Sequence, residues 1–392
     1  MADMLTFARD TIMRVSCGNA SQVWEIPVLS GFSFSQQQDV SEITLNEASA
    51  NDGTARRGRS MQVNAMQPAE FSFQTYIRPF ASDGGHSAGE ADDAADHHLV
   101  EEILWYLLTQ ANNTTGFTAA SSGTGAAMPG FTFGTSSSSI GTFSNKNTVD
   151  TATIDFIMNA NNTNNDVIYR LSEAVVNECT IDFDIEGIAT ATWSGFAQTL
   201  TEEGSGTPTA SNISEGINST NNMIRNRLST AVITDNTTAT GGTTAFNLTL
   251  TGGSWTYSNN ITYLTGDELG KVNKPLVPVA GHRTVSGSFT CYLNADIGTT
   301  AANANLFEAL VEDTARINPN IFDVDVYIGG TSDGSTTLSP GISIKMPTAH
   351  LQVPTHSMDD LVSLEITYDA LPATVAAANE ISAIAFIGPT PN

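Results

Sequence analysis

The stretch Thr180-Ile-Asp-Phe-Asp-Ile-Glu186 alternates without a break. Successive side chains of an extended strand point to opposite faces. Ile181, Phe183 and Ile185 therefore share one side, and Asp182, Asp184 and Glu186 the other. Such a strand has to bury its apolar face and keep the acidic face in water. Parallel sheets bury both faces, so the pattern calls for an antiparallel sheet. Phe322-Asp-Val-Asp-Val326 repeats it, with Asp323 and Asp325 opposite Phe322, Val324 and Val326. The plain role of these faces is solubility. The sharper role is a wall to which a polyanion does not adhere, because carboxylates cannot pair with phosphates.

Composition agrees with a β-rich chain. Its 392 residues are 40% hydrophobic and only 14% charged, and the abundance of Thr, Ser, Asn, Ala and Gly favours strands and turns. That length suits two ordinary domains. The 41 acidic against 15 basic residues give a formal net charge of −26. This disfavours adhesive binding to nucleic acid, which needs Lys and Arg to displace counterions. The three cysteines, Cys17, Cys179 and Cys291, are widely spaced and lack a C-x-x-C partner. They indicate neither a disulfide framework nor a zinc site and read as small buried hydrophobes. Met1 to Asp10 lacks a basic segment leading into an apolar one, and no later run reaches about 18 apolar residues. The expectation is a protein made in a cytoplasm, without a signal peptide or membrane anchor.

The same order of elements occurs twice, which is a long-period repeat. Val23 to Phe34 reads as a strand, followed by a long polar loop and a second strand, Pro68 to Ile77. Asn247 to Trp255 and Thr284 to Leu293 match them, with Ser72-Phe-Gln-Thr-Tyr-Ile77 corresponding to Ser288-Phe-Thr-Cys-Tyr-Leu293. The apolar periodicity of Leu99 to Leu108 predicts a helix, and Asn305 to Asp313 takes its place later. Two strand signals follow each helix. Ala152 to Met158 pairs with Ile321 to Ile328, and Glu178 to Ile188 with Asp360 to Tyr368. Thr201 to Asn212 is small and polar and reads as a linker or an exposed loop, where the domain boundary is expected. The expected domains are 1–203, with a Gly- and Ser-rich surface insertion at about 112–147, and 204–392.

Chemical motifs fail on context. Gly85-His-Ser-Ala-Gly89 spells a nucleophile elbow, but the elbow needs an apolar strand before it and a helix at once after it. The flanking Phe80 to Gly84 and Glu90 to Asp96 supply neither. Asp92, Asp93, Asp96, His97 and His98 lack the spacing of a zincin or an EF-hand, and the aspartates read instead as caps for the helix beginning near Leu99. Gly270 to Lys274 lacks phosphate-loop spacing. No catalytic residue, cofactor or metal is expected.

Pro27-Val-Leu-Ser-Gly-Phe-Ser-Phe-Ser35, Ser41 to Glu47, Arg56-Arg-Gly-Arg59 and Pro68 to Pro79 together resemble major tail tube proteins of long-tailed, siphovirus-like bacteriophages. Pro278 to Phe289 and Pro347 to His356 add similar phrases. The resemblance implies tandem β-sandwich or partial-barrel tail-tube domains, each with one flanking helix and a long stacking loop. It also implies side-by-side association into a closed barrel, stacking of rings, and a negative bore that conducts DNA as non-specific cargo during ejection. Because the chain carries two such domains, three copies are expected in a pseudo-hexameric ring, a hexamer being the alternative. Other tail proteins, such as the tape measure, terminator and distal tail proteins, are implied partners. The expected place is the virion tail, assembled in the host cytoplasm. The loop from Gln36 to Ala65 is the expected inter-subunit and ring-stacking element, with Glu42, Asn46, Glu47, Arg56, Arg57 and Arg59 as its contacts. Asp182, Asp184, Glu186, Asp323 and Asp325 are the candidates for facing the bore. The alternative reading is a surface-layer or adhesin-like β-rich structural protein.

Overall fold

The computed structural model describes residues 8–17, 23–43, 59–81, 97–109, 149–158, 167–203, 222–235, 244–270, 272–294, 303–312, 322–330, 340–358, 361–374 and 379–387. The first half runs β1 (Ile12–Cys17), β2 (Val23–Ile26), β3 (Ser33–Ile43), β4 (Ser60–Tyr76), β5 (Pro79–Ala81), β6 (His97–Leu99), α1 (Glu102–Thr109), β7 (Ala152–Met158), β8 (Val167–Asp184), β9 (Thr190–Ala197) and β10 (Thr199–Glu203). The second half runs β11 (Thr230–Asp235), β12 (Thr244–Asn247), β13 (Thr249–Ser258), β14 (Thr262–Thr265), β15 (Pro275–Val279), β16 (Thr284–Tyr292), α2 (Asn303–Glu312), β17 (Phe322–Gly329), β18 (Gly341–Leu351), β19 (Thr355–Met358), β20 (Val362–Ala370) and β21 (Ala383–Ile387). The chain is mainly β, and the pairings of all these strands are antiparallel, as the alternation at Thr180 requires.

Each half is a sandwich of a back and a front sheet. The first back sheet is ordered β2-β1-β7-β8-β10 and the first front sheet β3-β4-β9-β8. Strand β8 serves both. Its residues up to Ala174 pair with β7, and those from Val175 pair with β9. At this corner Glu173 adopts a φ of 52°, a left-handed conformation that is uncommon outside glycine. The second half repeats the scheme, with back sheet β12-β11-β17-β18-β21 and front sheet β13-β16-β20. There β20 is flanked on its far side by the end of β18 and by β19.

Register makes the correspondence residue-specific. Phe71 on β4 lies opposite Gly195 on β9, and the equivalent pair is Gly287 on β16 opposite Tyr368 on β20. Large and small have changed places. A Cβ on Gly195 would sit 2.6 Å from Phe71 Cζ, and one on Gly287 2.6 Å from Tyr368 Cζ, so each ring occupies the space left by the glycine across from it. The back sheets carry a second equivalence. Arg14, Asp155 and Arg170 adjoin across β1, β7 and β8, where Val232, Asp325 and Lys345 adjoin across β11, β17 and β18.

The halves meet through β8 and β13, with Asp182 opposite Ser254 and Thr180 opposite Thr256. This pairing makes one continuous front sheet, β3-β4-β9-β8-β13-β16-β20-β19. The core is continuous as well. Trp105 of α1 packs edge-on against Trp193 of β9 at 5.2 Å and tilted against Trp255 of β13 at 5.9 Å. All four tryptophans of the chain are at most 1% exposed. The apolar stripe of Ile103, Leu104, Leu107 and Leu108 gives α1 the surface that fills this space.

Several expectations shift. Val23 to Phe34 is two strands, because Pro27 lacks an amide donor and Gly31 takes a φ of 98° as the chain crosses from back to front. The helix expected from Leu99 starts at Glu102, since Leu99 instead pairs with Pro79. The proposed aspartate caps lie outside the described residues. The counterpart of β20 is β9, not Glu178 to Ile188 as the colinear reading expects. The counterpart of β8 is β18 with β19, which breaks around Pro354 and so loses the alternation that makes β8 recognisable. Thr201 to Glu203 lies in β10 and is not linker, while 204–212 and the insertion at 112–147 are outside the described residues.

Candidate functional site

One face of the front sheet fills the core, and the other is polar. Gln74, Thr192, Thr180, Thr256, Ser286 and Asp369 follow one another across β4, β9, β8, β13, β16 and β20. A neighbouring row runs Thr190, Asp182, Ser254, Ser288 and Thr367. The side chains tie adjacent strands together. Gln74 Nε2 donates to Thr192 Oγ1 at 3.0 Å, Thr180 and Thr256 share a hydroxyl bond of 3.2 Å, and so do Ser254 and Ser288. Cross-strand hydroxyl pairs of this kind stabilise a sheet modestly while keeping it wettable.

The charges on this face are of one sign. Glu70, Asp182, Asp184, Glu365 and Asp369 are exposed along it. No Lys or Arg occurs in β3, β4, β9, β13, β16, β19, β20 or in β8 from Val175 onward. The wall therefore has acceptors, hydroxyls and carboxylates but no cationic donor for a phosphate. Sequence reading reached Asp182 and Asp184 and missed Glu70, Glu365 and Asp369. The same signal was available, because Ser363, Glu365, Thr367 and Asp369 alternate with Leu364, Ile366 and Tyr368.

The remaining expected residues are scattered. Glu186 follows the strand, in a turn where its amide bonds Asp184 Oδ1 at 3.1 Å and Gly187 takes a φ of 102°. Asp323 and Asp325 lie on β17 in the back sheet, not beside Asp182 and Asp184. Burial raises the pKa of both. The neighbouring Asp325 adds to the effect on Asp323, while Lys345 and the Tyr327 hydroxyl oppose it on Asp325. The acidic alternation of β17 thus reports the outer side of the sandwich. Alternation reveals that a strand has a wet face and does not reveal which sheet it joins.

The described parts of the expected stacking loop, 36–43 and 60–65, are paired strands of β3 and β4. β3 and β4 run beyond the sheet, and Val40, Ile43, Met61 and Val63 are exposed on them. Arg59 reaches Glu42 of the same hairpin at 3.4 Å, both side chains being exposed. Asn46, Glu47, Arg56 and Arg57 lie outside the described residues. The second half has its own projection, the β14–β15 hairpin, with Leu264, Leu269, Leu276 and Val277 exposed. The two projections touch. Asn273 donates its amide to Asn64 O at 3.2 Å and accepts from Met66 N at 2.8 Å.

Among the described residues, no three His, Cys, Asp or Glu side chains converge as metal ligands, and no helix is long and apolar enough to cross a membrane. Cys179 and Cys291 are buried and free, and burial raises both thiols, Cys291 to about 11. The Cys17 side chain, Ser87 and the elbow around it lie outside the described residues.

No protein-family model matches the chain. It is similar to the tail tube protein pb6 of Escherichia phage T5, with 25% identity over 369 residues that cover 92% of this chain and 71% of the relative. The similarity, over nearly the whole chain, is to a phage tail tube protein. The family read from Pro27 to Pro79 and its second-half echoes is thereby borne out, and the β-rich architecture agrees with it.

Proposed function

We propose that the chain polymerises through closed rings into the hollow tube of a phage tail, and that the polar face of the front sheet lines the bore. The observation that carries this is a continuous sheet of eight strands per chain whose open face bears carboxylates and hydroxyls and no Lys or Arg. DNA beside such a wall finds no counterion-releasing partner and slides as non-specific cargo. In this reading residues 1–203 and 204–392 are two tube domains, the first carrying the 112–147 insertion. The segment from Gln36 to Ala65, with Glu42, Asn46, Glu47, Arg56, Arg57 and Arg59 as its contacts, stacks one ring on the next, with the β14–β15 hairpin beside its described part. Partners are further copies and other tail proteins such as the tape measure, terminator and distal tail proteins. The assembly belongs to the virion, and its role is structural and not enzymatic.

Ring size follows from strand number. With strands about 4.8 Å apart and tilted by about 40°, eight strands from each of three chains enclose a backbone circle about 48 Å across. Two chains enclose about 32 Å by the same geometry, which side chains narrow much further. Three copies therefore clear a duplex, and the pseudo-sixfold ring has a physical reason. Asp182 and Asp184, joined by Glu365 and Asp369, are the bore candidates. Asp323 and Asp325, on the back sheet, are not. Electron microscopy of the purified protein with light scattering tests the reading. Rings or tubes with three chains per ring support it; flat lattices would favour a surface-layer protein instead.

A further inference from the structure

Two pairs of strands project past the same end of the front sheet, and they belong to different halves. β3 and β4 form the first pair, β14 and β15 the second. β4 enters the sheet at Ala69 opposite Ala197, and β13 leaves it at Ser258 opposite Glu178, both at the end of the sheet where β8 turns its corner near Val175. A ribbon of two strands is marginally stable by itself in water. Each of these also carries exposed apolar side chains, Val40, Met61 and Val63 on one and Leu264, Leu276 and Val277 on the other.

Both ribbons have an irregular ladder beside a proline. Gln36 lies opposite Ala69 and Gln38 opposite Met66, so Gln67 and Pro68 face the single residue Gln37. Leu264 lies opposite Val277 and Thr265 opposite Pro275, so Leu276 is an extra residue. Bulges of this kind disrupt the ladder and leave main-chain groups unpaired. Two glutamine side chains take up the carbonyls. Gln36 Nε2 donates to Gln67 O at 2.9 Å, and Gln198 Nε2 donates to Pro275 O at 2.9 Å and Leu276 O at 3.1 Å. The two are themselves joined. Gln36 Nε2 also donates to Gln198 O at 3.1 Å, and its Oε1 accepts from Leu200 N at 3.0 Å. Two carbonyls at one end of the Gln36 amide and an N–H at the other permit a single orientation of the group. The bonds therefore run in series, from β3 and β4 to Gln36, from Gln36 to the main chain between β9 and β10, and from Gln198 to the start of β15. The main chain of Asn273, bonded to Asn64 and Met66, closes the circuit.

We infer that Gln36 and Gln198 are positioning residues that brace the two projections into one rigid body, so that each chain presents one composite stacking element and not two independent ones. The brace stands on the hydrogen bonds; its use in stacking rests on the ring reading above. Gln36 acts on β15 at a distance, by fixing the main chain from which Gln198 reaches. The brace is also made once per chain. Gln198 lies three residues past Gly195, and the equivalent place in the second half, three residues past Tyr368, is held by Leu371, which has no side-chain amide to donate. A ring of three chains then carries three braced elements, each combining apolar side chains from both halves. Ordering them in advance reduces the conformational freedom lost when such a surface docks.

The test is amide hydrogen exchange on the unassembled full chain. Gln36→Met and Gln198→Met keep the length of the side chain and lose its amide. Exchange through local opening should rise about fivefold for each net hydrogen bond lost. Gln198→Met should speed exchange in β14 and β15. Gln36→Met should do so as well, although none of its hydrogen bonds goes to either strand. The double variant should add little in β15 to Gln198→Met alone, because the bonds act in series. Gln74→Met, which removes the bond to Thr192 on the same sheet, should leave β14 and β15 as in wild type. Strands β1 and β7 of the back sheet should be unchanged in every variant, showing an intact fold. Faster exchange confined to β3 and β4 in Gln36→Met overturns the brace, and so does a double variant whose effects on β15 multiply. Electron microscopy of the same proteins reads the use of the brace, and the variants should give rings of wild-type diameter in shorter tubes. Wild-type tube lengths despite faster exchange in β15 overturn the role in stacking and leave the brace standing. Wild-type protein that forms neither rings nor tubes overturns the ring reading, while exchange still decides the brace.

Discussion

Replacing Trp105 with alanine probes whether the two halves stand on one core. The indole is 0% exposed and lies between Trp193 of the first front sheet and Trp255 of the second. Truncating a buried tryptophan typically costs about 3 to 5 kcal/mol through lost transfer energy and the cavity left behind. The two ring contacts belong to the part of that cost specific to geometry, each about 0.5 to 1.5 kcal/mol. For 392 residues, an unfolding entropy of about 2.1 cal/mol/K per residue converts this to a fall of about 4 to 6 °C in Tm. Calorimetry on unassembled chain, with urea unfolding as a check, should show one transition before and after the substitution, displaced as a whole. A profile that splits, with one part at the wild-type temperature, would refute the shared core. So would a displacement below about 1 °C, far under what a cavity of this kind costs.

Two further outcomes follow from charge. Glu101 is 0% exposed, and burial lifts its carboxyl to about 7 against opposing contributions from amide bonds and Arg78. A carboxyl whose folded pKa lies above its unfolded value holds more protons when folded, so its contribution is complete below about pH 4.5 and is lost as pH rises to about 7, of order 3 kcal/mol in all. Glu101→Gln should flatten that slope, read as urea midpoints at pH 5 and pH 7.5; an unchanged slope would assign the pH dependence elsewhere. On the front face, changing Asp182, Asp184, Glu365 and Asp369 together to lysine should leave the fold intact but make assembled particles retain duplex DNA at low salt. Retention should weaken steeply as salt rises, and variant particles that retain no more DNA than wild type would remove this face from the bore.

Much of the outcome was legible because it depends on local pattern. The strict alternation from Thr180 requires a one-sided antiparallel strand wherever that strand ends up, since side-chain direction is a property of extended backbone. Ser72-Phe-Gln-Thr-Tyr-Ile77 and Ser288-Phe-Thr-Cys-Tyr-Leu293 mark equivalent strands for a similar reason, both filling the core at every second residue. Family resemblance was carried by Pro27 to Pro79, a stretch long enough to hold β3 and β4, two of the four front-sheet strands of the first half.

Other features depend on contacts between residues far apart in the chain. Asp182 and Asp323 sit in indistinguishable local patterns, yet the first joins the front sheet and the second the back, because β8 pairs with β13 while β17 pairs with β11 and β18. The exchange of Phe71 and Gly195 for Gly287 and Tyr368 is invisible until register brings each pair together. Local backbone sterics and side-chain period thus determined that strands form and which of their faces is wet. Which strands become neighbours, and therefore where the cation-free face lies, was decided by long-range pairing and by the volume that Trp105, Trp193 and Trp255 fill together.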